Sequence, residues 1–197
     1  MPPPDTSASR APGAPPPPAP APPPARMRRL LAYRWFHLCA LAVLTLDQAT
    51  KIWMHRTLDF GTYGPPGHIE IIPGFFNLVH VGNTGAAWSL FAGRSALLAG
   101  VALAALAAIF FWRRTLGLRQ HAVQIGFGLL CGGIAGNLVD RMLHGHVIDF
   151  LDFHFGGYIY PTFNIADAGI VSGVALYLLL SLRKPAEKTP APDEPPV

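Results

Sequence analysis

The sequence predicts a mainly α-helical membrane protein, a bundle of four transmembrane helices carrying a small extracytoplasmic β-sheet. Three observations predict it. Hydrophobic residues make up 51% of the 197-residue chain and charged residues only 13%, too apolar a balance for an ordinary soluble domain. Four stretches are long and apolar enough to cross a bilayer, which takes about 20 residues of helix. Between the first two of them lie two strand-like runs, His68 to Ile72 and Phe75 to Val81, separated by the turn signal Pro73-Gly74.

In chain order, residues 1–29 are a Pro- and Ala-rich segment that cannot bury a core, and a disordered or polyproline-II tail is expected. It lacks the apolar core of a signal peptide. Met27 directly precedes the basic start of the first span and is a second candidate start of translation; N-terminal sequencing that returned Pro2 would exclude it. Residues 30–183 form the expected membrane domain, with spans at about Arg34–Trp53, Ser95–Trp112, Val123–Met142 and Ile165–Leu182. Trp35, Trp53 and Trp112 stand at span ends, where interfacial aromatics belong. Residues 184–197 are a second polar, proline-rich tail.

Arginine and lysine set the orientation. Arg26, Arg28, Arg29 and Arg34 precede the first span, Arg113, Arg114 and Arg119 separate the second from the third, and Arg183 and Lys184 follow the fourth. Both termini are therefore expected in the cytoplasm, with the segments at about 57–92 and 143–164 facing outward. The net charge of +4 sits beside apolar runs, which fits membrane flanks and not a nucleic-acid partner. Gly128, Gly132 and Gly136 in the third span, and Gly169 and Gly173 in the fourth, recur every four residues. Such ridges predict close packing of these two helices. Cys39 and Cys131 lie within apolar runs and read as small buried hydrophobes.

The chemistry gathers in Gly132–Asp167, which carries Asp140, Asp149, Asp152 and Asp167. Charges at membrane depth are costly and mark functional sites. Asp149 lies in VIDF shortly after the third span, and Asp167 lies in FNIAD at the first turn of the fourth, where Asn164 is placed to N-cap the helix. Two adjacent carboxylates do not both ionise readily, which supplies one general base and one general acid for attack by water. Asn137, Asp140 and Arg141 share one helix face, and Asp140 is a rival for a place in the pair. Asp47 and Lys51, in DQATK, form an i, i+4 pair that reads alone as a snorkelling lysine with its partner. Asn83, in NTGAAW, offers an amide for backbone recognition. Neither a metal nor another cofactor is expected: the His residues show no HExxH spacing, and His144, His146 and His154 fit no common ligand pattern. The second functional reading is a small ion- or proton-coupled transporter, against which the acids gather at one end instead of the midplane.

DQATK, NTGAAW, GGIAGNLVDR with VIDF, and FNIAD, in this order and spacing, resemble the motifs of the lipoprotein signal peptidase (signal peptidase II) family over residues 30–183. The resemblance implies a bacterial inner-membrane aspartyl endopeptidase that cuts diacylglyceryl-modified prolipoproteins just before the lipidated cysteine. It assigns the catalytic pair to Asp149 and Asp167. It implies that Asp47, Lys51, Asn83, Gly85, Asn137, Asp140, Arg141, Asn164 and Ala166 bind substrate or shape the site. Membrane lipids as partners, inhibition by globomycin-type cyclic peptides and a monomeric state are further expectations. Trp88 stands where the family usually has Phe, and the N-terminal tail is not a family feature.

Overall fold

Four helices and a four-stranded sheet alternate along the chain in the computed structural model, which describes residues 31–182. The two expected tails lie outside the described residues. The order is α1 (Arg34–Thr57), β1 (Ile69–Ile72), β2 (Phe76–Asn83), α2 (Ser95–Trp112), α3 (His121–His144), β3 (Val147–Phe155), β4 (Tyr158–Ile159) and α4 (Ile165–Leu182). By length and composition, α2, α3 and α4 are able to cross a membrane. α1 is as long as α3, but its second half carries Asp47, Gln48, Lys51 and Arg56. It also runs one turn past the expected end at Trp53.

α3 is the central helix, packed on α1, α4 and, more lightly, α2. Its glycines explain how. A Cβ on Gly128 would come within 2.7 Å of the Phe36 carbonyl oxygen, and one on Gly132 within 2.6 Å of that of Ala40. The expected Gly128–Gly132–Gly136 ridge therefore receives α1, and α4 reaches it only through Ala166 at Gly136. α4 lies on a second line, Gly126 and Gly133, where the carbonyls of Gly173 and Ala166 close in. Spans three and four do pack closely: on α4 the expected Gly173 meets α3, where a Cβ would come within 2.5 Å of the Gly126 carbonyl oxygen, but on α3 the contact uses Gly126 and Gly133 in place of the expected ridge. α2 buries none of its residues, so it stands beside the bundle with most of its surface free.

All strand pairs are antiparallel, in the order β1-β2-β3-β4. Both expected strands are present, and β2 extends two residues beyond Val81. β3 and β4 fall in the second outer segment, where no strand was expected. Asp149 pairs with Val81 and Asn77 with Asp152, with an irregularity between Leu78 and Val81 that shifts the register. After β4 the chain turns back onto β3: the Phe150 and Leu151 amides both donate to the Phe163 carbonyl, at 3.1 and 2.9 Å. Phe163 also stacks on Phe153, which stacks on Phe76. This return delivers Asn164, and with it the start of α4, beside Asp149. Val79 is fully buried, whereas Phe75 stays at the surface.

Candidate active site

At the base of the site lies an ion cluster. Lys51 is only 2% exposed, so it does not snorkel; its Nζ meets Asp47 Oδ2 at 2.9 Å and Asp140 Oδ2 at 2.8 Å. The helical period aligns the α1 pair, and α3 brings the third partner. The remaining carboxylate oxygens are occupied too. Asp140 Oδ2 accepts from the Ile148 amide at 3.0 Å and its Oδ1 from Gln48 Nε2 at 3.0 Å. Asp47 Oδ1 accepts from the Ala166 amide at 2.9 Å. Two buried carboxylates against one buried cation, each further hydrogen-bonded, satisfy the condition under which burial of charge is tolerated. Asp140 thus turns to Lys51, away from its neighbour Arg141. Gln48 bridges Asp47 and Asp140 and was not singled out from the sequence; its place between Asp47 and Lys51 in DQATK was the available signal.

Above the cluster, amides carry the polarity upward. Asn137 Oδ1 accepts from Lys51 Nζ at 3.0 Å, while its Nδ2 donates to Asp167 Oδ1 at 2.7 Å. Asn164 caps α4 as expected: the Asp167 amide donates to its Oδ1 at 2.9 Å, and its own amide donates back to Asp167 Oδ2 at 3.3 Å. This reciprocal pair is a capping box with an aspartate in the third position. The Nδ2 of the same Asn164 donates to Asp149 Oδ1 at 2.7 Å, and Asn83 Nδ2 donates to Asp149 Oδ2 at 3.0 Å. One asparagine therefore touches both acids. Burial first, and then the charge of Asp167, push the Asp149 carboxyl up to about 7, against the opposing hydrogen bonds from Asn83 and Asn164 and the charge of Lys51.

Asp149, Asp167, Asn83, Asn137 and Arg141 all line one cavity of about 890 Å³. Arg141 Nη2 holds the Gly85 carbonyl at 2.8 Å, and the Gly85 amide donates to Asn83 Oδ1 at 2.9 Å. Arg141 Nε has no hydrogen-bond partner among the described residues. The far arm of the cavity is apolar and runs between α2 and α4, lined by Val101, Ala105, Ile170 and Val171. Trp88, 71% exposed with φ of 52°, stands at the mouth. Of the four acids in Gly132–Asp167, Asp152 stays apart and takes contacts from Asn77, His154 and Tyr63.

A model of the signal peptidase (SPase) II family matches residues 39–183. The chain belongs to the signal peptidase II family. Among similar members is a lipoprotein signal peptidase of Aeromonas hydrophila, 39% identical, with the match covering 81% of this chain and 94% of that one. Another, from Yersinia enterocolitica, is 40% identical, over 79% and 90% of the two chains. A bacterial membrane enzyme solved by the in meso method at 2.3 Å superposes with a TM-score of 0.70 at 31% identity, covering 79% of this chain and 92% of the other. A second such structure, at 1.9 Å, gives 0.66 at 32% identity. Membership in the signal peptidase II family makes the chain a peptidase and removes the ground for the transporter reading. In signal peptidase II terms the resembling blocks are brought together: DQATK supplies the base of the site, NTGAAW and VIDF its sheet wall, and FNIAD its helix cap.

Proposed function

We propose that this protein removes the signal peptides of lipoproteins as an aspartyl endopeptidase, with Asp149 and Asp167 as the catalytic pair. The observation that carries the reading is Asn164, which caps α4 at Asp167 and hydrogen-bonds Asp149, holding both acids at one cavity wall. With its carboxyl near 7, Asp149 keeps its proton over the mildly acid range while Asp167 is the base. Asp167 takes a proton from water as the oxygen attacks the scissile carbonyl carbon, and Asp149 gives its proton to the carbonyl oxygen. Proton return to the amide nitrogen then lets the C–N bond break. Arg141, already on the Gly85 carbonyl and with Nε free, is suited to hold a peptide carbonyl of the substrate.

The substrates on this reading are diacylglyceryl-modified prolipoproteins, cut before the lipidated cysteine. The apolar arm between α2 and α4 suits their acyl chains, since its lining joins a helix face open to lipid. All four helices span the bacterial inner membrane, with both termini in the cytoplasm and the sheet and acids on the outer face. Asp47, Gln48 and Lys51 make α1 the least apolar span, and the burial of Lys51 with Asp47 and with Asp140 of α3 is what lets it cross. Globomycin-type inhibitors compete for the same cavity, and the enzyme acts as a monomer.

The test is cleavage of a diacylglyceryl-modified prolipoprotein by purified protein. Asp149→Asn and Asp167→Asn are expected to lose at least about 100-fold in turnover while remaining folded. A dead Asp140→Asn beside an active Asp149→Asn would move the dyad to Asp140. No cleavage of lipidated substrate by the wild type would overturn the reading.

A further inference from the structure

At the opposite end of the bundle from the acids, a second cavity of about 250 Å³ is lined by Tyr33, Arg113, Arg114, Leu118 and Arg119. Three arginines converge there from the end of α2 and the connection into α3. None makes a salt bridge among the described residues. The described acids, Asp47, Asp59, Glu70, Asp140, Asp149, Asp152 and Asp167, lie in the acid site or in the segments between helices on its side. α3 adds to the positive field: it begins with no side-chain cap and no acid in its first turn. Scattered basic flanks would explain the sign of this end, but not a concave site with its cations on one rim.

The floor is apolar. Leu118 is 6% exposed and belongs to a core cluster with Val123 and Phe127, against which Tyr33 packs. Beside the rim, Phe110, Phe111 and Trp112 are exposed, and the Arg113 guanidinium lies 4.3 Å from the Phe110 ring centroid. Trp35 and Trp112 mark this level as the membrane–water boundary. A site that is cationic at its rim, apolar at its floor and flanked by lipid-facing aromatics matches an amphiphile better than a free ion.

We infer that this cavity binds the phosphate headgroup of an anionic phospholipid, with the acyl chains against the aromatic end of α2. Arginine forks suit phosphate oxygens, and basic pockets between helix ends are where such headgroups bind. Only the name of the leaflet, the inner one, depends on the orientation given above; the site itself does not depend on peptidase activity.

The test uses the full-length protein in phosphatidylcholine nanodiscs doped with phosphatidylglycerol, with bound lipid counted by native mass spectrometry. The wild type is expected to retain phosphatidylglycerol in preference to phosphatidylcholine, and less of it as salt rises. Replacing Arg113, Arg114 and Arg119 by Gln is expected to weaken retention roughly fivefold per arginine, with prolipoprotein cleavage unchanged as evidence of folding. Equal retention of both lipids, or retention by the wild type that salt does not alter, would overturn the site. Displacement of the lipid by millimolar inorganic phosphate would assign the cavity to soluble phosphate and overturn its identity as a lipid site.

Discussion

Asp149→Asn separates what the site does from what it costs the fold. The Asp149 carboxyl stands near 7 in the folded protein against 3.8 as its ordinary value. Between these values the folded state holds a proton that the unfolded chain has released, so stability falls as pH rises through this window. At about 1.4 kcal/mol per pH unit, the loss above pH 7 is on the order of 4 kcal/mol. Asparagine is close in shape to the protonated acid and stays neutral. One of its groups opposes a donor, since Asn83 and Asn164 both donate to this carboxyl, at a cost of about 1 kcal/mol. The variant is therefore expected to be more stable than wild type by roughly 3 kcal/mol at pH 8, and slightly less stable at pH 4. Thermal unfolding of both proteins in one detergent at the two pH values measures this, with cleavage assayed in parallel. A stability difference of the same sign and size at both pH values would refute a proton held by Asp149.

Three other perturbations follow from the packing and the ion cluster. Lys51→Met leaves Asp47 and Asp140 buried without their cation, and a loss of about 3–5 kcal/mol is expected in unfolding experiments, partly recovered by adding Asp140→Asn. Gly132→Ala drives a Cβ toward the Ala40 carbonyl and is expected to cost about 1–3 kcal/mol, whereas Gly100→Ala, inside α2 with nothing within 4 Å, is expected to stabilise by up to about 1 kcal/mol in the same melts. Arg141→Lys loses the fork that holds the Gly85 carbonyl; a fall in kcat/KM of roughly 10-fold or more, with little change in Tm, is expected from steady-state cleavage.

Local signals made much of this architecture legible, and long-range ones hid the rest. The limits of α2 and α4 coincide with their apolar runs, and the Asn164 cap is readable because its partner Asp167 is three residues away. β3 was hidden by its own chemistry. In VIDFLDFHF the acids stand three residues apart, which breaks the period of two that marks a strand; only Leu151–Phe155 alternates, before the Gly156-Gly157 turn. The burial of Lys51 is not legible in the sequence, because its i, i+4 partner is visible there while Asp140 lies on another helix. The glycine spacing gave the close approach of helices, but not which helix fills which ridge, since that depends on the rotation of α3 about its axis.

The two asparagines show why that third partner matters. An amide has one oxygen and one nitrogen end, and its orientation is fixed when a donor claims the oxygen. Asn137 Oδ1 is claimed by Lys51, so its nitrogen must face Asp167; Asn164 Oδ1 is claimed by the Asp167 amide, so its nitrogen must face Asp149. The buried ion cluster and the helix cap thereby aim N–H donors at both acids without any direct contact between Lys51 and Asp149. Asn164→Ser tests the second half of this arrangement. Serine caps a helix about as well as asparagine, so the cap is kept, but the buried acceptors served by Asn164 Nδ2 lose their donor, and a stability loss of about 1–3 kcal/mol is expected. It has no amide to reach Asp149, so a loss of at least about 10-fold in kcat is expected, with the alkaline limb of the pH–rate profile, set by the proton on Asp149, moved to higher pH. Asn164→Ala, lacking both functions, is expected to lose the same activity and to be about 1 kcal/mol less stable than Asn164→Ser. If Asn164→Ser kept wild-type turnover and an unshifted pH profile, the amide would be a cap alone, and the coupling of the two acids through it would be wrong.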